Sequence, residues 1–325
     1  MDISVKEAKV LEPGKITVVE SQFLSKPLAE DELVVKLDSA PFNPSDFYTM
    51  MCLFPGQAQP PFRLGFEGFG EIESVGSDQN KDLIGKKCLF IVFNGSYATR
   101  LVVKRNEVYV LSDGCNLQSA KENFAVNPIT AYELVQSAKS KGASSIIQTA
   151  ASSNVAKWIT IFAKREGMKS ISVVRNIKHR DELIKLGASK VISTGDDSYE
   201  ADLTAAIEEF KPTVLFDALG GDKPVHILEL MPNYSVLVNY GSLNKHGLDN
   251  VHFGTLMVGK SITCYVIFSE TTLGKPHEYS EKIVNEIYKA DECLHEPIHS
   301  YKFDDAGKIA EEWAKRSAKL VLRNS

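Results

Sequence analysis

Residues 144–175, from Ser144 to Arg175, read SSIIQTAASSNVAKWITIFAKREGMKSISVVR. The stretch has the order strand, tight turn, helix, strand. Ser144 to Thr149 is a short apolar run bounded by turn residues, as a buried parallel strand requires. Ala150 to Ser153 are small enough for a backbone to approach a pyrophosphate. From Val155, apolar residues recur at Ile159, Phe162 and Ala163, the stripe of a helix packed on a sheet. Gly167 falls where such a helix stops, and Ile171 to Val174 is the next strand. A ligand here would meet the helix N-terminus, where N–H groups and the dipole favour an anion.

A glycine fingerprint is missing from the turn. G-x-G-x-x-G or A-x-x-G-x-x-G would put glycines near Asn154 and Ala156. Asn is the next-best residue for a left-handed turn and Ala the smallest replacement where helix and sheet pack, so the expectation is a left-handed Asn154 and a closely packed Ala156. A strand–helix–strand unit without ligand stays open on these residues alone. The second strand points the other way. Where an NAD site carries Asp or Glu for the ribose 2′-hydroxyl, this chain has Arg175-Asn176, followed by Lys178, His179 and Arg180. A cation there suits a 2′-phosphate, hence NADP(H).

The frame around this unit is ordinary. A chain of 325 residues has room for two domains with proper cores. Hydrophobic residues at 43% and charged residues at 24% are those of a globular protein. A net charge of -5 gives no support to a nucleic-acid partner. No apolar run is long enough for a membrane span, and the acidic start MDISVKEAKVLEPG resembles neither signal nor transit peptide, so the expected location is cytoplasmic. Cys52, Cys88, Cys115, Cys264 and Cys293 lie singly, without metal-ligand spacing, and read as reduced.

Texture divides the chain. Up to about Asp113 short strands and turns alternate (Leu33–Leu37, Gly70–Gly76, Lys87–Phe93, Tyr97–Val103), which predicts a β-rich, partly barrel-like domain. From about Lys121 to Ser269 strands and helices alternate, which predicts a doubly wound parallel sheet. The tail offers a helix around Tyr279–Lys289, a strand over Ile298–Phe303, a helix from Asp304 to Ala314 and a strand over Lys319–Leu322, and is expected to return to the first domain.

Motifs spread along the chain carry a resemblance. They are Asn43-Pro44-Ser45-Asp46, Gly65-Phe66-Glu67-Gly68-Phe69-Gly70 with Ser74-Val75-Gly76, Asn127-Pro128-Ile129-Thr130-Ala131-Tyr132, Leu186-Gly187-Ala188, Phe216-Asp217-Ala218-Leu219-Gly220-Gly221 and Tyr240-Gly241-Ser242. In this order they resemble the zinc-independent medium-chain dehydrogenases/reductases, the group of quinone oxidoreductases and 2-enoyl thioester reductases. The resemblance implies an α/β protein. A GroES-like β-rich catalytic domain over residues 1–120, completed by 270–325, would accompany a Rossmann-type doubly wound parallel-sheet cofactor domain over 121–269. It also implies a homodimer through paired edge strands, with Ser261–Phe268 as candidate edge, although that run could equally be an internal strand.

The resemblance assigns NADP(H) to Asn43, Pro44, Thr130, Ser153, Asn154, Val155, Arg175, Asn176, Leu219, Gly220, Tyr240, Gly241, Ser242, Leu243, Ile267, Phe268 and Lys319. Zinc members carry G-H-E, with the His helping to bind metal. Phe66 stands in its place, so the implied chemistry is metal-free reduction of a quinone or an α,β-unsaturated carbonyl. The glycine-poor turn, VNPITAY and SVVR are closest to the mitochondrial-type 2-enoyl thioester reductases, but their tyrosine proton donor aligns near Phe54. Asn43, Asp46 and Tyr48 keep the N-x-x-D-x-Y spacing of quinone oxidoreductases. Tyr48 either polarises a carbonyl beside the nicotinamide, with Asn43 next to it, or packs in the cleft wall. Asn43 and Asp46 also suit ordering the loop. An enoyl-CoA or enoyl-ACP reductase and a non-catalytic dinucleotide-binding protein remain the alternatives.

Overall fold

The computed structural model describes residues 3–23, 27–54, 56–244, 247–267, 276–290, 294–315 and 318–324. The chain forms two compact units, one of Met1–Val126 with Lys275–Ser325 and one of Asn127–Gly274.

The Asn127–Gly274 unit is built on a six-stranded parallel sheet. Its strands run in the spatial order Lys190–Ser193, Lys169–Val174, Ser145–Gln148, Val214–Asp217, Val236–Asn239 and Ser261–Cys264. The first strand in sequence lies inside and the order reverses beside it, which is the doubly wound arrangement. Every residue of the Ser145–Gln148 strand is buried, as expected of a strand covered on both faces. Gln148 is the largest polar side chain of this strand. Its amide donates to Ala156 O (3.1 Å) and Thr160 Oγ1 (2.8 Å), tying the strand to the Asn154–Arg165 helix above it. That helix buries Trp158 stacked on Phe162, and it ends two residues before Gly167, whose φ of +71° needs no Cβ.

The other unit is mostly antiparallel. Its larger sheet has the path Ile298–Lys302, Lys319–Arg323, Glu32–Pro41, Glu67–Val75, Lys87–Ile91 and Val108–Val110, with Arg100–Lys104 also paired to Glu32–Pro41. A smaller sheet joins Lys15–Phe23, Ile3–Glu12 and Phe62–Arg63. The two C-terminal strands thus join the sheet built by the N-terminal part. The GFEGFG run explains itself through packing. A Cβ on Gly65 would lie 2.2 Å from Ser96 Oγ and 2.3 Å from the Tyr97 ring. One on Gly68 would lie 2.4 Å from the Phe90 ring, so side chains there are excluded. Glu67 is fixed between these contacts and points its carboxylate into the core, 1% exposed.

Candidate functional site

At the carboxyl end of the Ser145–Gln148 strand the chain turns through Thr149 to Ser153 and enters the Asn154–Arg165 helix. The left-handed residue is Ala150, with φ +46°, and not Asn154. Asn154 is the first residue of the helix, and its Oδ1 accepts from Asn127 Nδ2 at 2.8 Å. Ala150 O accepts from Ser153 N–H (2.8 Å) in this turn, and the conformation costs an L-residue roughly 1–2 kcal/mol. Ser153 is the N-cap and its hydroxyl accepts from Ala156 N–H. Ala156 is fully buried, in line with the close packing expected of it. Small side chains at a twelve-residue helix N-terminus therefore surround the position where a pyrophosphate would lie.

Arg175 follows the Lys169–Val174 strand and is exposed, without an ion-pair partner among the described residues. Asn176 caps the short turn after it, accepting from Lys178 N–H at 2.9 Å, so its oxygen serves the loop. Lys178 and Arg180 are exposed beside it. The rim of this strand end is therefore cationic, as a 2′-phosphate requires.

Asp217 organises the neighbouring loops, a role the sequence reading did not assign. Its carboxylate is fully buried and accepts from Thr149 Oγ1 (2.5 Å), Leu219 N (3.0 Å), Gly220 N (3.0 Å) and Asn239 Nδ2 (2.8 Å). Asn239 Nδ2 also donates to Gly241 O, and Leu243 N–H to Ala218 O. One carboxylate thereby holds the 219–221 and 239–243 loops at adjacent strand ends. An acidic residue closing a strand before Ala-Leu-Gly-Gly was the only sequence signal. Burial pushes the Tyr240 hydroxyl well above its ordinary pKa, and the Asp217 charge adds to this, while the Ser153 side chain opposes it. Ser153, Leu219, Gly220, Tyr240, Gly241, Ser242 and Leu243 are thus brought to one end of the sheet. Val155 is partly buried in the helix's first turn, Thr130 is buried in the Val126–Ser140 helix, and Ile267 is buried beyond the edge strand. Phe268 and Cys293 lie outside the described residues.

In the other unit, Asn43 caps the Pro44–Met50 helix and is buried, whereas Pro44 is exposed. Its backbone N–H donates to Asp46 Oδ2 and its Nδ2 to Glu67 Oε1, each at 2.7 Å. Glu67 Oε2 accepts from Ala125 N and Val126 N, both at 2.8 Å. Burial raises the pKa of Glu67, opposed first by the Lys319 charge and then by these hydrogen bonds. Burial also raises Asp46 well above the usual carboxylate range; the Asn43 N–H opposes the rise and the Glu67 charge adds to it. Lys319 is lowered to about 8 by burial, against the pull of Glu67 and Glu296, and its ammonium donates to Asn123 O at 3.1 Å. Tyr48 lies half-buried on the Pro44–Met50 helix with its ring 5.9 Å from that of Phe54. Phe54 is 44% exposed, so a tyrosine at that position would stand one ring away from Tyr48. Among the described residues no group of three His, Cys, Asp or Glu could hold a metal ion, and no helix is long and apolar enough to cross a membrane.

A mostly antiparallel β unit and a doubly wound parallel unit make up the fold that the resemblance to the medium-chain dehydrogenases/reductases implies. Residues 29–113 match the alcohol dehydrogenase GroES-like domain. The chain is 26% identical over 244 residues to the mitochondrial enoyl-[acyl-carrier-protein] reductase of Caenorhabditis elegans, covering 73% of this chain and 69% of that protein. It is 26% identical over 240 residues to the NADPH quinone oxidoreductase of Kluyveromyces marxianus, covering 67% of this chain and 63% of that one. Its fold matches the crystal structure of a candidate NADPH:quinone reductase from Mesorhizobium loti with a TM-score of 0.86, at 21% identity over 99% of this chain and all of that one. The resemblance to the quinone oxidoreductase and enoyl thioester reductase group of this superfamily, read from the sequence, therefore holds.

Proposed function

We propose that the chain is a metal-free, NADPH-dependent reductase of quinones or α,β-unsaturated carbonyl compounds. The observation that carries this reading is Arg175, an exposed arginine without an ion-pair partner among the described residues, at the strand end where the ribose is recognised. The names of the Kluyveromyces marxianus and Caenorhabditis elegans relatives support a reductase. NADPH, when bound, supplies a hydride. The chain's part is to hold it. Ser153, Asn154 and Val155 offer a helix N-terminus to the pyrophosphate, and Arg175 and Asn176 flank the 2′-phosphate. Leu219, Gly220, Tyr240, Gly241, Ser242 and Leu243 form the loops along its length, and Thr130, Ile267, Phe268 and Lys319 are further cofactor contacts in this proposal. In the same proposal Asn43 and Pro44 also contact the cofactor, and the Tyr48 hydroxyl, with Asn43 next to it, polarises a carbonyl oxygen of the acceptor.

The second reading, an enoyl thioester reductase, is favoured by the names of the mitochondrial relatives and opposed by Phe54, which has no proton to give. The third, a non-catalytic dinucleotide-binding protein, has the lost glycine fingerprint on its side. Turnover of NADPH with quinones, enones and enoyl-CoA separates the three. Quinone or enone reduction is expected, enoyl-CoA reduction alone would favour the second reading, and tight NADPH binding without turnover the third.

The reading includes a homodimer. Among the described residues the Ser261–Cys264 strand ends the sheet path, and Tyr234, Phe253 and Met257 of the same unit are 83%, 76% and 72% exposed. This edge, open among the described residues, is covered by a second copy in this proposal. A cytoplasmic location is also part of it, to be checked by fractionation, since several relatives are mitochondrial by name.

A further inference from the structure

Asn43 stands between two buried carboxylates and donates to both, through its backbone to Asp46 and through its side chain to Glu67. The two ends of an asparagine amide have the same shape and opposite hydrogen-bonding character. What Asn43 offers to a bound molecule therefore depends on which end its neighbour takes. An ionised carboxylate only accepts, so Glu67 takes the NH2 end. Its hydrogen-bond partners among the described residues all donate: Asn43 Nδ2 to one oxygen, Ala125 N and Val126 N to the other. A protonated carboxyl would turn a hydroxyl against one of these donors, and the geometry favours the ionised form.

We propose that Glu67 is a positioning residue, which holds the Asn43 amide with its carbonyl oxygen as the end left for a ligand. The site then selects a hydrogen-bond donor at that point, a hydroxyl or an amide N–H. The inference rests on the proposed placement of Asn43 at the reacting site.

The same geometry predicts what a neutral isostere does. In Glu67→Gln, the Ala125 and Val126 N–H groups still need an acceptor and claim the glutamine oxygen. The glutamine NH2 then faces the Asn43 NH2, and the Asn43 amide must flip, showing a donor where the native protein shows an acceptor. Adding Asn43→Asp repairs this, because the aspartate accepts from the glutamine NH2 and its second oxygen is again an acceptor.

Glu67→Gln should lower kcat/KM with the acceptor that the native protein reduces by about 10–100-fold, the cost of leaving one buried polar group without its partner. The double variant Glu67→Gln/Asn43→Asp should regain at least part of that loss, and melting temperatures should not track the activities. A double variant that folds yet is no more active than Glu67→Gln would overturn the proposal, as would Glu67→Gln at native activity.

A readout independent of turnover is the Asn43 side-chain amide observed by NMR in the native protein. One of its protons should be protected from exchange and lose that protection in Glu67→Gln. Two rapidly exchanging protons in the native protein would overturn the proposal even if Glu67→Gln does not fold. Absence of reductase activity with a protected Asn43 proton would instead refute the proposed function and leave the Glu67–Asn43 tie standing.

Discussion

Arg175 projects its charge from the strand end without an ion-pair partner among the described residues, so removing it exposes what it was kept for. Arg175→Ala should weaken NADPH by about 1.5–3 kcal/mol while leaving NADH nearly unaffected, as titration of both cofactors would read. Equal native affinities for the two would refute its role. Removing the Tyr48 hydroxyl in Tyr48→Phe should lower enone turnover on the order of 10²-fold with NADPH affinity unchanged, and quinone turnover less. Unaltered rates on both would leave the hydroxyl out of the chemistry. Ala150→Gly should relieve the left-handed strain and raise stability by about 1 kcal/mol in denaturant melts, less the added chain entropy of glycine. Single residues were the hardest to read from sequence. The residue type of Asn154 suggests the left-handed position, but Asn154 opens the helix and that conformation falls on Ala150, four residues earlier. Glu67 passed as part of a glycine motif, since its partners Asn43 and Ala125 lie 24 and 58 positions away.

Elements are held by a few charges whose titration can be followed. The His277–Lys289 helix is tied to the Val108–Val110 strand by Glu281, which accepts from Val110 N–H at 2.8 Å and pairs with Arg105 and His277. Burial alone would raise this carboxyl, but the hydrogen bonds from His277, Arg105 and Val110 hold it at about 2. A depressed folded-state pKa contributes stability above the ordinary value of 4.5, and the contribution is lost as pH falls from there toward 2. The contribution is on the order of 3 kcal/mol, and Glu281→Gln should flatten stability against pH in this window. An unchanged acid limb would show that the pair stabilises nothing. At the sheet edge, Ser261 N–H and Tyr265 N–H bond inward to Ser235 O and Asn239 O, so by alternation the Cys264 N–H faces outward. Cys264→Pro should therefore give a folded monomer in sedimentation, and a persisting dimer would place the interface elsewhere. The edge itself was open in the sequence, where an apolar run over 261–268 fits an edge and an interior strand alike. Pairing only decides it, and the strand spans Ser261–Cys264.

For the whole molecule, alternation of short apolar runs with amphipathic helices was enough to predict the parallel sheet, because a strand covered on both faces is mostly apolar. The β-rich part was legible as strands and turns, while its sheet partners were not, since pairing Glu32–Pro41 with Lys319–Arg323 joins opposite ends of the chain. The arrangement of the 219–221 and 239–243 loops depends likewise on Asp217, whose four donors come from three separate segments. The central claim is that the chain moves a hydride from NADPH to an electrophilic acceptor, and isotope transfer tests it most directly. With NADPH deuterated at the transferable position and an α,β-unsaturated ketone as acceptor, one deuterium should appear on the β-carbon of the saturated product, and NADH should support far slower transfer. A folded protein that binds NADPH yet yields unlabelled product, or none with any acceptor, would contradict the account.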